Sequence, residues 1–205
     1  MTDKPGAPAT LRNREPILEV LRIEMANCQS VLEIGSGTGQ HAVFFGRELP
    51  WLSWQTSDRL ENHDGINAWI AEASLPNVRR PLDLDVELVD SVPGEYCGVF
   101  SANTAHIMSF DAVICMFQLV GNALSADGLF CLYGPFNLNN DFTSESNRQF
   151  DASLKTRDPR MGIRDLAEIR VLASENDLVT EKTYAMPANN MLIVWKKTST
   201  KRVKK

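Results

Sequence analysis

No apolar run in this sequence approaches the ~20 residues that a helix needs to cross a bilayer, so no membrane partner is expected. Basic charge is also in deficit. Lys and Arg number 21 against 26 Asp and Glu, a formal net charge of -5, which removes the basic field that accompanies binding to polyanions. Nucleic acid is therefore not an expected partner. The four cysteines, Cys28, Cys97, Cys115 and Cys131, include no CxxC pair, and the three histidines stand at no metal-ligand spacing. We expect no metal site, and cysteines present as buried free thiols. The segment MTDKPGAPATLRNREP has none of the apolar core of a secretory signal, from which a cytoplasmic location is expected. No repeat, low-complexity tract or linker marks a second domain, and nothing bears on oligomeric state.

What is present is the balance of a globular chain. Hydrophobic residues at 43% and charged residues at 23% suffice for an ordinary core, and 205 residues suit one domain. That domain is expected over 1–197, with 198–205 a disordered basic tail. Ile17, Leu18, Leu21 and Met25 recur at helical spacing and predict a helix over 14–27 with Pro16 in its first turn. Strands are then predicted at 30–34, 52–57, 78–84, 99–103 and 129–133, separated by helices at 40–49, 63–73 and 109–124. Such alternation argues for a parallel sheet covered by helices on both faces, an α/β fold. Beyond it lie a long polar insertion (137–164), a helix from about Arg164, and two strands at 178–185 and 191–196 forming a hairpin around MPANN.

The most informative stretch is VLEIGSGTGQH. An apolar strand delivers Glu33, then Gly35, Gly37 and Gly39, into the start of a helix. Alternate glycines let the backbone approach a ligand without intervening Cβ atoms, while the helix presents unpaired N–H groups. A dinucleotide fingerprint, GxGxxG, would require glycine where Gln40 stands. Glu33 would moreover repel a pyrophosphate and suit an ammonium or sulfonium group. Asp58 ends the second predicted strand about twenty residues on, where a carboxylate accepts from both hydroxyls of a ribose. Asp83 ends the third, positioned to accept from an adenine amine with Leu84 against the ring.

These residues resemble the class I S-adenosylmethionine methyltransferases, and more closely the methyltransferase-like protein 26 family. The resemblance rests on LEIGSGTGQHA together with RNREPIL, WQTSD, PLDLDV, SANTAHI, YGPF, FDASL, MGIRDL and MPANNMLIVW, nearly the whole chain. It implies a Rossmann-like sheet of seven mostly parallel strands in the order 3-2-1-4-5-7-6, and S-adenosylmethionine as cofactor. It assigns the methionine moiety to the loop Glu33, Gly35, Ser36, Gly37, Thr38 and Gly39, the ribose to Asp58, and the adenine to Asp83 and Leu84. The sequence departs from that family at Thr56 and Met161.

Methyl transfer chiefly requires the acceptor atom to be held in line with the sulfur–methyl bond, which in the best cases lowers the barrier by roughly 7 to 11 kcal/mol. A base is needed only where the acceptor loses a proton as it attacks. Candidates come from the loop after the fourth strand, SANTAHIM: Asn103, as acceptor or cofactor contact, and His106, as base or as a structural histidine. His41 reads as a capping or packing residue and His63 as a surface one. Tyr133 and Asn137 are candidates to line an acceptor pocket, and the insertion to serve as a lid. Arg12 and Asn13 would close over the cofactor or bind the acceptor, helix capping being the alternative for Asn13. The expected activity is methylation of a small molecule. The alternatives are a non-catalytic cofactor-binding or partner-regulating protein and, less compatible with Glu33 and Gln40, a nicotinamide-dependent dehydrogenase.

Overall fold

The computed structural model describes residues 4–198. Chain order is α1 (Pro8–Glu24), β1 (Ser30–Ile34), α2 (Gln40–Glu48), β2 (Ser53–Asp58), α3 (His63–Ala73), β3 (Val78–Asp83), β4 (Tyr96–Ala102), α4 (Phe110–Ala123), β5 (Leu124–Gly134), β6 (Phe136–Asn137), α5 (Glu145–Arg157), β7 (Arg164–Asp165), α6 (Leu166–Glu175), β8 (Leu178–Met186) and β9 (Asn190–Lys197). The main sheet runs β3-β2-β1-β4-β5-β9-β8. With the two-residue strands β6 and β7 set aside, that is the expected order 3-2-1-4-5-7-6. The first five strands are parallel, and β9 runs antiparallel to both β5 and β8.

Strict alternation along the central strands divides one apolar run between two cores. On β5, Phe130 and Leu132 join Val113, Phe117 and Ile169 of α4 and α6, whereas Cys131 and Tyr133 join Ile17, Leu21 and Phe45 of α1 and α2. Trp195 stacks on Phe130 at 5.5 Å on one face, and Trp54 meets Phe45 at 5.5 Å on the other. Burying each such ring contributes roughly 1.5 to 3 kcal/mol. The second-strand register, Ile34 beside Ser57 and Asp58 beside Asp83, brings the carboxyl ends of β1, β2 and β3 level.

Three expectations need correction. Helix α1 begins at Pro8, which occupies the first turn where the missing N–H costs nothing; Pro16 lies inside the helix, leaving the Arg12 carbonyl without its helical donor. Within the polar insertion, 145–157 is a folded helix, capped by Ser144, whose hydroxyl accepts from the Asn147 N–H at 3.1 Å. Cys28 and Cys97 are not free thiols but a disulfide with Cα atoms 5.5 Å apart; Cys115 and Cys131 are free. Of the tail expected over 198–205, Thr198 donates its N–H to Asp177 O at 2.8 Å and the remainder lies outside the described residues. Among the described residues no helix is long and apolar enough to cross a membrane, and no three His, Cys, Asp or Glu side chains gather as for a metal ion.

Candidate functional site

Where β1 ends, Gly35, Gly37 and Gly39 take φ of 72°, 58° and 87°, a left-handed conformation at alternate residues that turns the chain into α2. At Gly39 a Cβ would come 3.0 Å from the Ile66 backbone, so glycine is required for close packing as well as for the turn. At Gly37 a Cβ would meet nothing within 4 Å, because the residue faces open space. That space is a cavity of about 790 Å³ at the carboxyl ends of the parallel strands. Its size falls within the range of ligand pockets, and its place is where open α/β sheets bind them.

The loop is braced from behind. The Ser36 hydroxyl donates to Glu33 Oε2 at 2.8 Å, the Trp54 indole donates to the same oxygen at 3.1 Å, and the Ser57 hydroxyl donates to the Glu33 carbonyl at 2.6 Å. Glu33 is therefore buried, with 2% exposure, and does not line the cavity. Burial, the largest effect, outweighs these two donors, and with a smaller push from Asp58 it raises the carboxyl from 4.5 to about 7. Asp58 stands in the cavity wall, only 8% exposed. Its Oδ2 accepts from the Gly37 N–H at 2.7 Å, and its Oδ1 accepts from the Arg59 N–H and the Asn62 amide, both at 2.8 Å. One carboxylate thus ties the glycine loop to the end of β2.

Of the other expected residues, Gly35, Ser36, Gly37, Thr38, Leu84 and Asn103 line the cavity, and Gly39 is the cap of α2 behind it. Asn103 adopts φ 61°, a region that Asn tolerates better than most residues, and its N–H donates to the Tyr133 carbonyl at 2.9 Å. Asp83 is exposed and outside the wall. It lies on the sheet's edge strand with its side chain outward. The following turn, closed by the Leu88 N–H on Asp85 O at 3.0 Å, brings Asp85 to the cavity instead.

His106 is likewise displaced. The N–H groups of Ile107 and Met108 both bond to Thr104 O, forming one helical turn that aims Thr104, Ile107 and Met108 at the cavity. His106 falls on the opposite side, packed 5.3 Å from the Phe150 ring, where burial and then the Arg164 charge lower its pKa to about 4. The imidazole in the cavity wall is that of His41, in the first turn of α2. Its Nε2 lies 2.8 Å from Asn13 Oδ1 and its ring stacks on Phe45 at 5.2 Å. Burial, then Arg14, lowers its pKa also to about 4, so both imidazoles are neutral at physiological pH.

Arg12 is exposed, Asn13 and Tyr133 are buried, and Asn137 is half-buried with its amide donating to Ile163 O at 3.3 Å; none of the four lines the cavity. Burial raises the Tyr133 phenol, against the opposing effect of its hydrogen bond with Asn13.

Two segments outside the sheet complete the wall. Pro5 and Ala7, which precede α1, and Thr10 in its first turn do so on one side, held by the Ala7 N–H on Gln40 Oε1 at 2.5 Å and the Trp69 indole on Pro5 O at 2.8 Å. Asp158, Arg160 and Met161 of the insertion do so on another. Arg164 clamps that insertion to the loop after β4, donating to Ala105 O at 3.0 Å, to Met108 O, and to Arg160 O at 2.8 Å. His41 had a readable signal, since a first-turn side chain beside a glycine loop faces whatever the helix N-terminus faces. Asp158, Arg160 and Met161 lie within the 137–164 insertion expected to serve as a lid, but which of its residues would reach the cavity had no signal, because their approach depends on the fold of a connection far along the chain from β1 and β2.

A family model described as a protein of unknown function, DUF938, matches residues 4–197. Among solved structures, an O-methyltransferase family protein from Burkholderia thailandensis superposes with a TM-score of 0.80 at 14% identity, over 94% of this chain and 58% of that one. The S-adenosylmethionine-dependent methyltransferase SibL, in its apo form, gives 0.79 at 20% identity, over 93% and 56%. PigF with SAH gives 0.76 at 13% identity, over 89% and 55%. At these identities the likeness is one of fold, and the chain spans a little over half the length of each of these structures.

Proposed function

Because this chain belongs to the DUF938 family of proteins of unknown function, no activity comes with its family, and we propose from the site itself that it binds S-adenosylmethionine and methylates a small-molecule acceptor. The observation that carries the proposal is the convergence of the glycine loop, Asp58 and the loop carrying Asn103 on one cavity of about 790 Å³. The methyltransferases with the same fold, one of them described with SAH, support the same direction, as does the resemblance to the methyltransferase-like protein 26 family.

The residues present fit that cofactor. When bound it supplies a methyl group on a positively charged sulfur. The open face of Gly37 leaves room for the methionine portion along the loop, where Ser36 and Thr38 also line the cavity. Asp58 accepts from the ribose hydroxyls, exchanging its bonds to Gly37 and Asn62 for them. Leu84, Val86 and Ile107 provide apolar walls for adenine, and Asp85 takes the acceptor role first assigned to Asp83.

Asn103 orients the acceptor, its strained backbone fixed by the bond to Tyr133 O. The segment ahead of α1 and the insertion keep water from the reacting atoms. With His106 turned away, its role is packing beneath the insertion, and catalysis rests on orientation.

Calorimetric titration of the protein with S-adenosylmethionine, SAH and NAD tests the reading. Micromolar binding of the first two, weakened at least tenfold in Asp58→Ala and absent for NAD, is expected, because a buried charged hydrogen-bond acceptor contributes about 1.5 to 3 kcal/mol. Binding of NAD in preference to S-adenosylmethionine, or binding indifferent to Asp58, would overturn it.

A further inference from the structure

Strands β1 and β4 are parallel neighbours, with Val31 beside Gly98, so their first residues meet at the opposite end of the sheet from the cavity described above. Cys28, two residues ahead of β1, and Cys97, the second residue of β4, stand there with a Cα separation of 5.5 Å, typical of a disulfide. A second cavity, of about 740 Å³, opens there, lined by Asn27, Cys28, Gln29, Trp51 and Arg79 among others.

We propose that this pair is a thiol-exchange site for a small carboxylate-bearing thiol, which attacks Cys28 from the second cavity and displaces Cys97 as a thiolate. The two sulfurs are not equivalent. Cys97 Sγ receives the backbone N–H groups of Gln29 at 2.9 Å and Ser30 at 3.2 Å, two donors against the one Ser30 carbonyl 3.2 Å away. Donors aimed at a sulfur stabilise its thiolate, and a better-stabilised thiolate departs faster. Cys28, 6% exposed, is the member of the pair that lines the cavity, whereas Cys97 is half-buried outside that wall.

The cavity also suits the thiol. The Arg79 guanidinium makes no hydrogen bond or ion pair among the described residues and stands ready for a carboxylate, and the Trp51 indole, 46% exposed, offers an apolar platform beside it. Cys131 borders neither cavity, and burial pushes its thiol far above the ordinary range.

In the first step the incoming thiolate forms a bond to Cys28 Sγ as the Cys28–Cys97 bond breaks, and the electron pair leaves on Cys97. A second thiolate then attacks the external sulfur of the mixed disulfide, releasing a symmetric disulfide and leaving Cys28 reduced. Two electrons pass from two thiols to the protein pair, and protons from solvent complete the two cysteine thiols.

The test uses the full chain, purified without reductant. It is incubated with limiting glutathione, quenched with iodoacetamide and mapped by peptide mass spectrometry. Glutathione on Cys28 with alkylation on Cys97 is expected. Arg79→Ala should slow the reaction with glutathione roughly two- to fivefold while leaving that with neutral 2-mercaptoethanol unchanged, the scale of one exposed ion pair. Glutathione on Cys97, a disulfide that stays intact, or two free thiols before any treatment would overturn the site. Equal slowing with both thiols would overturn the assigned ligand class.

Discussion

Replacing Glu33 by Gln should stabilise the protein at alkaline pH and change little near pH 5. The carboxylate has 2% exposure and two side-chain donors, Ser36 and Trp54, and burial still raises it from 4.5 to about 7. A raised folded-state value means that the folded protein holds this proton more tightly than the unfolded chain. The stability so contributed is complete below 4.5 and is lost as the pH rises through about 7. At about 1.36 kcal/mol per pH unit, the loss is of order 3 kcal/mol. Gln keeps an oxygen for both donors and carries no charge, so it escapes the loss. For a chain of this length the gap in Tm between Glu33→Gln and the parent should widen by roughly 6 to 12 °C between pH 5 and pH 8.5. Thermal melts followed by circular dichroism across that range measure it. Both proteins contain His41 and His106, so those titrations cancel in the difference. A gap that is flat or narrows with rising pH would refute the argument.

Gly39→Ala places a Cβ 3.0 Å from the Ile66 backbone at φ 87° and should cost roughly 1 to 3 kcal/mol, read as a lower urea midpoint at unchanged slope. His106 has its pKa lowered to about 4 by burial, so its contribution is present above the unfolded value of 6.5 and lost as the pH falls through 4; His106→Phe should flatten the acid limb of the stability curve, and an unchanged limb would contradict the burial. Arg164→Ala removes the clamp on three carbonyls and should expose 158–164 to limited proteolysis at protease concentrations that leave the parent intact, whereas equal resistance would show the insertion held by other means.

Much of the fold is local and therefore legible. Strand β1 and helix α3 fall on the predicted residues because a five-residue apolar run closed by glycines and an eleven-residue helical period each carry their own boundaries. Helix α5 escaped that method, since Leu154 is its one buried apolar residue and a search for apolar period finds nothing; the Ser144 cap was its only visible mark. The Cys28–Cys97 pair was invisible for a different reason. A separation of 69 residues says nothing until the strand order makes β1 and β4 neighbours.

The same distinction governs the site. Asp58 reaches the cavity wall because β2 is an interior strand whose last side chain faces the neighbouring loop. Asp83 has the same position in sequence but on the edge strand, where the side chain is exposed and the acid that lines the cavity is Asp85. His106 lies outside the cavity wall because one turn of helix after β4 decides which residues of SANTAHIM face it, and the imidazole packs on Phe150 as a structural histidine would. Strand-end rules thus locate cavity-lining residues in the sheet's interior, and beyond it they yield to turns whose direction depends on local hydrogen bonds. Asp85→Asn and Asp83→Asn test this directly. If adenine lies where proposed, the first should weaken S-adenosylmethionine binding several-fold, about 1 kcal/mol for one hydrogen bond, and the second should leave it unchanged. The reverse result would place the adenine site at the edge strand after all.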